Sequence, residues 1–103
     1  MSNMSTDTVD VAGTTVVLLG QIAKGWEVLQ PLTVTIQYSD EDGTFITGDE
    51  VFYMYGTGGS ISESLGDYIK VLTEYYEHLA EDEDEPTKAL FEYVRSYVNA
   101  TAL

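Results

Sequence analysis

Carboxylates are the most abundant groups in this sequence that could do chemistry, and one cluster has part of the spacing of a calcium-binding loop. Asp40, Asp42 and Gly43 fall at the third, fifth and sixth positions of an EF-hand loop. Asp49 falls at the twelfth position, but Tyr38 stands at the first, where a carboxylate ligand belongs. The flanking residues have the pattern of strands rather than helices. We therefore interpret the segment as a solvated hairpin turn and predict no metal site.

A glycine-rich segment at residues 56–60, Gly-Thr-Gly-Gly-Ser, precedes a predicted helix, and amides at a helix N-terminus can bind phosphate. The segment lacks both the Gly-Lys-Ser/Thr ending of a P-loop and the full Gly-x-Gly-x-x-Gly fingerprint of dinucleotide-binding proteins. A strongly acidic protein would also repel a polyphosphate. We interpret these glycines as a connection between a strand and a helix, and we predict no cofactor.

Histidine occurs once in the chain, at position 78, and cysteine is absent. His78 therefore has no second histidine or thiolate with which to share a metal ion. No Gly-x-Ser-x-Gly motif offers a serine nucleophile that this histidine could activate. Adjacent carboxylates such as Asp49 and Glu50 are expected from the abundance of Asp and Glu. We predict no catalytic residues and a protein that is not an enzyme.

The charge balance favours a basic partner. Eighteen Asp and Glu residues against four Lys and Arg residues give a formal net charge of −14. Nucleic acids and anionic membranes need a basic surface, so neither is an expected partner. A basic protein is the complementary partner, and the alternative is that the charge serves solubility alone. The start has no signal-peptide pattern and no apolar run is long enough to span a bilayer, so we expect a cytoplasmic protein.

Strand signals dominate the first half of the chain. The 103 residues, 44% of them hydrophobic, suit one α+β domain, with residues 1–12 expected to be mobile. Residues 14–19 are rich in β-formers, and two glycines at 20 and 25 bracket a short connection. Proline is confined to the edges, starts or bulges of a sheet. We therefore begin the second strand after Pro31, at residues 32–38.

An acidic hairpin and a tyrosine-rich stretch complete the predicted sheet. Asp42-Gly43 supplies the positive-φ position of a tight turn, so residues 44–47 should pair antiparallel with the preceding strand. Residues 51–55, Val-Phe-Tyr-Met-Tyr, are predicted as the next strand. We therefore expect a small antiparallel sheet of three to four strands.

Two helices are predicted after the sheet. Ser60 and Glu63 fit a capping box, in which the serine hydroxyl and the glutamate carboxylate accept hydrogen bonds from otherwise free amides. The apolar stripe of this helix comprises Leu65, Tyr68, Ile69, Leu72, Tyr76 and Leu79. The acidic run 81–85 should connect it to a second short C-terminal helix over residues 86–98. We expect the first helix to pack across one face of the sheet.

The predicted strand at 51–55 is apolar on both faces. One helix can shield only one of these faces, so the other either meets the C-terminal helix or contacts a partner. Tyrosine and methionine are enriched at protein interfaces. We predict that a partner binds this strand, the tip of the acidic hairpin and the nearby acidic run: Val51, Tyr53, Tyr55, Asp40, Glu41, Asp42, Glu81, Asp82, Glu83 and Asp84.

The predicted order of a strand, an Asp-Gly hairpin turn, two further strands and a glycine-rich entry to an amphipathic helix resembles the HicB-like antitoxin family. The resemblance is carried by Val-Thr-Ile-Gln-Tyr at 34–38, Asp-Gly-Thr-Phe-Ile at 42–46 and the helix entry Gly-Ser-Ile-Ser-Glu-Ser-Leu at 59–65, and it covers residues 32–80. It implies a partial ribonuclease-H-like β-β-β-α core without catalytic carboxylates. It also implies a small basic RNA-cleaving toxin as the partner, whose active site the antitoxin masks.

Two functional hypotheses from different classes therefore remain open. The first is a non-catalytic, HicB-like domain that binds a basic protein partner, a small toxin being the partner that the resemblance implies. The alternative is a self-associating structural or scaffold domain that forms a homo-oligomer through an exposed tyrosine-rich strand.

Overall fold

A long β-hairpin is the first element of the computed structural model, which describes residues 14–101. Strand β1 (Thr14–Ala23) pairs antiparallel with strand β2 (Trp26–Ser39) across a Lys24-Gly25 turn. Gly25 has a φ of +86°, which glycine adopts without a steric penalty. The segment predicted to be mobile, residues 1–12, lies outside the described residues.

Strand β2 runs straight through Pro31, so the prediction of a strand that begins after this proline is wrong. The pairing of β1 with β2 shifts register between Leu18 and Gly20, and Pro31 has no register partner in the described sheet. Its missing N–H therefore costs no ladder hydrogen bond. Gly20 at this bulge has a φ of +81°. Residues 21–24, predicted as a connection, belong instead mainly to β1 and its turn.

The remaining strands extend the sheet on the other side of β2. Strand β3 (Thr44–Asp49) pairs with the second half of β2, and strand β4 (Tyr55–Gly58) pairs with β3. Strand β5 (Val98–Ala100), which we did not predict, pairs with the start of β2. The described strands all pair antiparallel, in the order β1-β2-β3-β4 with β5 beside β2. The predicted α+β fold is confirmed.

The tyrosine-rich stretch forms a loop rather than the predicted strand at 51–55. Residues 50–54 fold back between β3 and β4, and only Tyr55 of the predicted strand belongs to β4. The side chain of Asp49 causes this fold, because it accepts hydrogen bonds from amides within the loop. Residues 51–54 therefore do not have the two alternating apolar faces that a strand at 51–55 was predicted to have.

Two helices follow the sheet, α1 (Ile61–Glu81) and α2 (Glu85–Arg95). The predicted N-cap is confirmed, since Ser60 Oγ accepts from the amide of Glu63 at 3.1 Å. Glu63 Oε1 accepts from the amide of Gly59 at 2.9 Å, one residue before the cap, rather than from the amide of Ser60 as in a regular capping box. Helix α2 ends at Arg95 rather than at Val98. The chain turns there because Val98 enters β5 and is fully buried in the core.

Helix α1 packs on one face of the sheet, as predicted. The core between them consists of Leu18, Val28, Leu32, Val34, Tyr68, Leu72 and Val98. Helix α2 packs against α1 and β5. The outer face of the sheet, opposite the helices, stays uncovered by the described residues: Val17, Leu19 and Leu29 are 56%, 58% and 50% exposed.

Candidate protein-docking surface

An open cleft lies on the outer face of the sheet, where β2, β3 and β4 meet the 50–54 loop. Its volume is about 610 Å³, within the range of ordinary ligand-binding sites. The residues that line it are Thr35, Gln37, Ile46, Gly48, Asp49, Glu50, Tyr53, Met54 and Tyr55. Two tyrosines and a methionine are part of this lining, and these residue types are enriched at protein interfaces.

Gly48 creates the floor of this cleft. In the sheet it pairs with Thr35 of β2 on one side and with Tyr55 of β4 on the other. Because glycine has no side chain, a notch remains between these two neighbours. A Cβ added at Gly48 would lie 3.5 Å from Met54 O and 3.5 Å from Tyr55 Cβ, which is ordinary van der Waals contact. The φ of Gly48 is not in the left-handed region, so the backbone accepts a residue with a Cβ here, and that Cβ would occupy the notch.

Asp49 shapes the loop that borders the cleft. Its carboxylate accepts hydrogen bonds from the amides of Val51 at 2.9 Å, Phe52 at 2.6 Å and Met54 at 3.0 Å. The side chain is largely buried, so these amides replace the water that would otherwise solvate the charge. Hydrogen bonds to a charged acceptor are stronger than neutral ones. A single side chain therefore holds the loop in one conformation.

The loop presents Tyr53 to solvent in an unusual backbone conformation. Tyr53 has a φ of +57°, which is uncommon for a residue with a large side chain, and it is 78% exposed. Backbone strain of this kind costs on the order of 1–3 kcal/mol and persists only where surrounding contacts enforce it. The hydrogen bonds to Asp49 supply that enforcement here. An enforced, exposed tyrosine beside a cleft is a typical feature of a binding surface.

Phe52 anchors the same loop to the helical side of the molecule. Its ring makes edge contacts with Tyr93 and with Tyr97, at centroid distances of 5.6 Å and 5.4 Å. Perpendicular aromatic pairs of this kind contribute about 0.5–1.5 kcal/mol beyond the area they bury. The loop is thus fixed at Phe52 as well as by the hydrogen bonds to Asp49, while Tyr53, between Phe52 and the bonded amide of Met54, stays open to contact.

Behind the loop, the side chain of Tyr68 in α1 is completely buried. Its hydroxyl lies close to the Asp49 carboxylate, but this carboxylate is directed at the loop amides, and the pair does not have the geometry of a full hydrogen bond. Burial, and second the negative charge of Asp49, raise the pKa of the Tyr68 hydroxyl well above its ordinary value of about 10. This phenol therefore keeps its proton in the folded protein under alkaline conditions.

Tyr68→Phe is expected to change the stability of the protein at high pH. Above pH 10 the unfolded chain loses this proton while folded Tyr68 keeps it, so the folded state becomes less stable as the pH rises, by at most about 1.4 kcal/mol per pH unit. Phenylalanine removes that dependence. At neutral pH the variant should be as stable as the parent or more so by about 1 kcal/mol, because it removes an unpaired buried hydroxyl.

Urea unfolding between pH 7 and pH 11 measures both effects. Tyr53→Phe is the matched control, since it removes a phenol at an exposed position. If Tyr68→Phe and the parent lose stability equally above pH 10, the phenol of Tyr68 does not have the raised pKa.

Of the predicted partner-binding residues, two tyrosines line the cleft, Val51 lines an adjoining cleft, and the acidic residues line neither. Tyr53 and Tyr55, which is 65% exposed, both line the cleft. Val51 is half-buried, packs against the core and lines a smaller adjoining cleft of about 270 Å³. The cleft residues that were not predicted as partner-binding are Thr35, Gln37, Ile46, Gly48, Asp49, Glu50 and Met54. Strand alternation had already placed Thr35 and Gln37 on the face opposite Val34 and could have pointed to them.

The structure does not bring the two predicted acidic groups together. The tip of the β2–β3 hairpin, Asp40, Glu41 and Asp42, is exposed and lies at the end where α1 begins. The run Glu81, Asp82, Glu83 and Asp84 is also exposed, but it lies at the other end of α1. A helix of 21 residues is about 30 Å long. The run is therefore far from the hairpin tip, and neither acidic group is among the residues that line the cleft.

The described residues offer no obvious site for a metal ion. No group of three or more His, Asp and Glu side chains within residues 14–101 is arranged to hold one. Asp49 lies at the opposite end of β3 from Asp42, so these two carboxylates cannot form one EF-hand-like loop. In the same part of the chain, no helix is long and apolar enough to cross a membrane.

Comparison of the chain with models of protein families, with curated proteins and with solved structures gave no match. The functional argument therefore depends on the cleft and on the charge of the chain.

Proposed function

We propose that this chain is a non-catalytic protein-binding domain, HicB-like in type, that binds and masks a basic protein partner such as a small toxin. The observation that carries the proposal is the uncovered outer face of the sheet with its cleft. Both Tyr53 and Tyr55 are exposed there beside the notch at Gly48. Neither helix covers this face, so an apolar side chain of a partner has direct access.

The chemistry of the cleft indicates what kind of partner would fit. The notch at Gly48, in a cleft that Tyr53, Tyr55 and Ile46 also line, accepts an apolar anchor, and buried aromatic contacts of this kind dominate binding energy at interfaces. Glu50 lines the same cleft, and the acidic hairpin tip lies at the end of the same two strands. With a net charge of −14, the protein attracts basic proteins over long distances. A basic protein with an exposed apolar side chain meets both requirements.

The resemblance to HicB-like antitoxins supports the same proposal. Within residues 26–81 the chain runs strand, strand, short strand and long helix, which is the order that the resemblance implies. Residues of β2, β3 and β4, the three strands of that order, line the cleft. Masking a partner needs a pre-formed surface rather than reactive groups, and the fixed loop at 50–54 provides one.

Gly48→Val is expected to abolish partner binding without harming the fold. The valine methyl groups would fill the notch, and a β-branched residue is favourable in a strand. Tyr53→Asn should weaken binding as well, because it removes the ring while asparagine tolerates a positive φ. Leu90→Ala is the control, since Leu90 is exposed on α2, away from the cleft.

A pull-down from the cells that make the protein, followed by mass spectrometry, tests these variants together with their thermal midpoints. The proposal predicts a basic protein retained by the parent and by Leu90→Ala and lost from both cleft variants. Its association rate should fall as ionic strength rises. Retention of the same proteins by all variants at unchanged thermal midpoints would contradict the proposal.

One observation favours self-association as a second candidate function. Strand β1 carries no charged residue, and Val17 and Leu19 on its outer face are more than half exposed in a chain of strongly negative charge. Two copies could meet there without bringing like charges together. Sedimentation of the parent and of a Val17→Glu, Leu19→Glu double variant tests this candidate. A parent that is monomeric at all accessible concentrations would exclude it.

A further inference from the structure

A second cavity lies at the C-terminal end of α1. It has a volume of about 530 Å³ and opens between the start of β2 and the last turns of α1. Its walls are aromatic and acidic: Trp26, Tyr76, Glu77 and Glu81. Small residues, Gly25 and Ala80 among them, leave the space between these walls open. None of these residues lines the cleft at Gly48.

The aromatic walls form a fixed corner. The rings of Trp26 and Tyr76 stand perpendicular, at 84°, with their centroids 5.0 Å apart. Tyr76 is held from its other side by the ring of Phe91, at 5.1 Å and 76°. Both Trp26 and Tyr76 are only partly buried, so part of each ring reaches the cavity. The face of an aromatic ring carries negative potential and attracts a cation placed over it.

The two carboxylates of this cavity form no ion pair with a cation of residues 14–101. Glu77 and Glu81 are one helical turn apart, and like charges at this spacing destabilise a helix. Both also lie near the negative C-terminal end of the α1 dipole. The ion pairs within residues 14–101 join other residues, Lys88 with Glu85 and Arg95 with Glu92. A cation in the cavity would relieve both repulsions.

The same protein shows how such a combination of groups holds a guanidinium. Arg95 Cζ lies 5.5 Å from the centroid of the Phe91 ring. Its Nη1 donates a hydrogen bond to Glu92 Oε2 at 3.2 Å. One aromatic face and one carboxylate are thus occupied by an arginine of the chain itself. Beside it, the Trp26–Tyr76 corner and its two glutamates offer the same chemistry with no cation of the described residues in place.

We propose that this cavity binds the guanidinium group of an arginine side chain on a protein partner. A guanidinium is planar, stacks on aromatic rings and donates to two carboxylates at once, whereas an ammonium does neither as well. The proposal rests on the proposed function, because the partner must be basic. It adds a second contact point, lined by none of the residues of the cleft, and gives the acidic end of α1 a specific ligand.

Fluorescence of Trp26, the single tryptophan of the chain, tests the cavity directly. The probes are three blocked tripeptides, glycine-arginine-glycine, glycine-lysine-glycine and glycine-citrulline-glycine, titrated into the whole protein at constant ionic strength. Citrulline has the shape of arginine without its charge. We expect a saturable change of emission with the arginine peptide, a weaker one with the lysine peptide, and none with the citrulline peptide.

Charge-neutral variants show whether the response comes from this cavity. The double variant Glu77→Gln, Glu81→Gln should lower the affinity for the arginine peptide by about tenfold or more, since it removes both charged acceptors. The matched control is Glu74→Gln, Glu83→Gln, which changes the net charge equally and leaves the cavity lining intact. This control should bind like the parent.

Three results would overturn the proposal: no saturable response, an equal response to the lysine or citrulline peptide, or an equal loss of affinity in both double variants. Because the probes are short peptides and Gly48→Val leaves this cavity untouched, failure here is distinguishable from failure of the proposed function. The latter is measured by retention of a whole protein at the cleft.

Discussion

Asp49→Ala is expected to destabilise the protein by about 3–5 kcal/mol and to release the loop that presents Tyr53. The carboxylate accepts hydrogen bonds from the amides of Val51, Phe52 and Met54 in a largely buried position. A hydrogen bond to a charged group contributes about 1.5–3 kcal/mol, and the total is less than the sum because some amides regain water. This loss is a large part of the roughly 5–15 kcal/mol by which a domain is stable.

Chemical unfolding of three variants separates the causes. Glu50→Ala is the matched control, since Glu50 is the adjacent acidic residue and is exposed. It should change stability by no more than about 0.5 kcal/mol. Asp49→Asn keeps the shape and one acceptor oxygen, so it should fall between the parent and Asp49→Ala. Equal stabilities for Asp49→Ala and Glu50→Ala would show that the loop does not depend on this carboxylate.

The loss of loop order should also be visible in partner binding. If Tyr53 needs the Asp49 network to keep its positive φ, Asp49→Ala will weaken binding at a temperature where the variant is still folded. Backbone amide exchange at residues 51–54 should become faster in the same variant. Unchanged exchange in this segment would mean that Phe52 and its ring contacts hold the loop without Asp49.

Gly56→Ala is expected to destabilise the protein by about 3 kcal/mol, although it adds a single methyl group. A Cβ at this position in β4 would overlap the backbone nitrogen of Tyr68 in α1. A helix backbone cannot rotate aside as a side chain can, so the cost lies at the upper end of the overpacking range. Gly58 has the same role one helical turn earlier, where a Cβ would lie 2.6 Å from Glu63 Cβ.

Gly66→Ala is the control for this prediction. Gly66 lies inside α1 with nothing within 4 Å of an added Cβ, so alanine should stabilise the helix by about 0.5–1 kcal/mol. The thermal midpoint should thus fall by about 15 °C for Gly56→Ala and rise slightly for Gly66→Ala. A midpoint of Gly56→Ala within a few degrees of the parent would show that α1 can move away from β4.

These glycines also show where the sequence interpretation was incomplete. The segment 56–60 was interpreted as a connection between strand and helix, because its composition is that of a loop. Residues 55–58 are instead strand β4, and the two glycines stand where α1 approaches the strand most closely. Secondary-structure propensity reflects only the local backbone preference of a residue. Glycine is required at positions 56 and 58 because helix α1, which follows in the chain, packs closely against this strand.

The periodic patterns of the sequence determined the fold class. Alternation at 32–38 and the three- and four-residue spacing at 61–79 correctly predicted a strand with one buried face and a helix with one buried stripe. The capping box correctly placed the start of α1, and Asp42-Gly43 correctly placed a turn, with Gly43 at a φ of +64°. Each of these features depends on interactions within a few residues, so a local pattern is sufficient to reveal it.

Tertiary structure alone decided the candidate docking surface. The cleft needs Gly48 of β3 beside Tyr55 of β4 and Thr35 of β2, and only the register of the sheet brings them together. Asp49 folds the 50–54 loop because its carboxylate is buried where three amides can reach it. The acidic run after α1 lies far from the acidic hairpin because a long helix separates them. The composition determines the net charge, and the hydrophobic periodicity determines which face of each strand or helix is buried. The relative positions of residues far apart in the sequence depend instead on strand pairing and on packing across the whole chain.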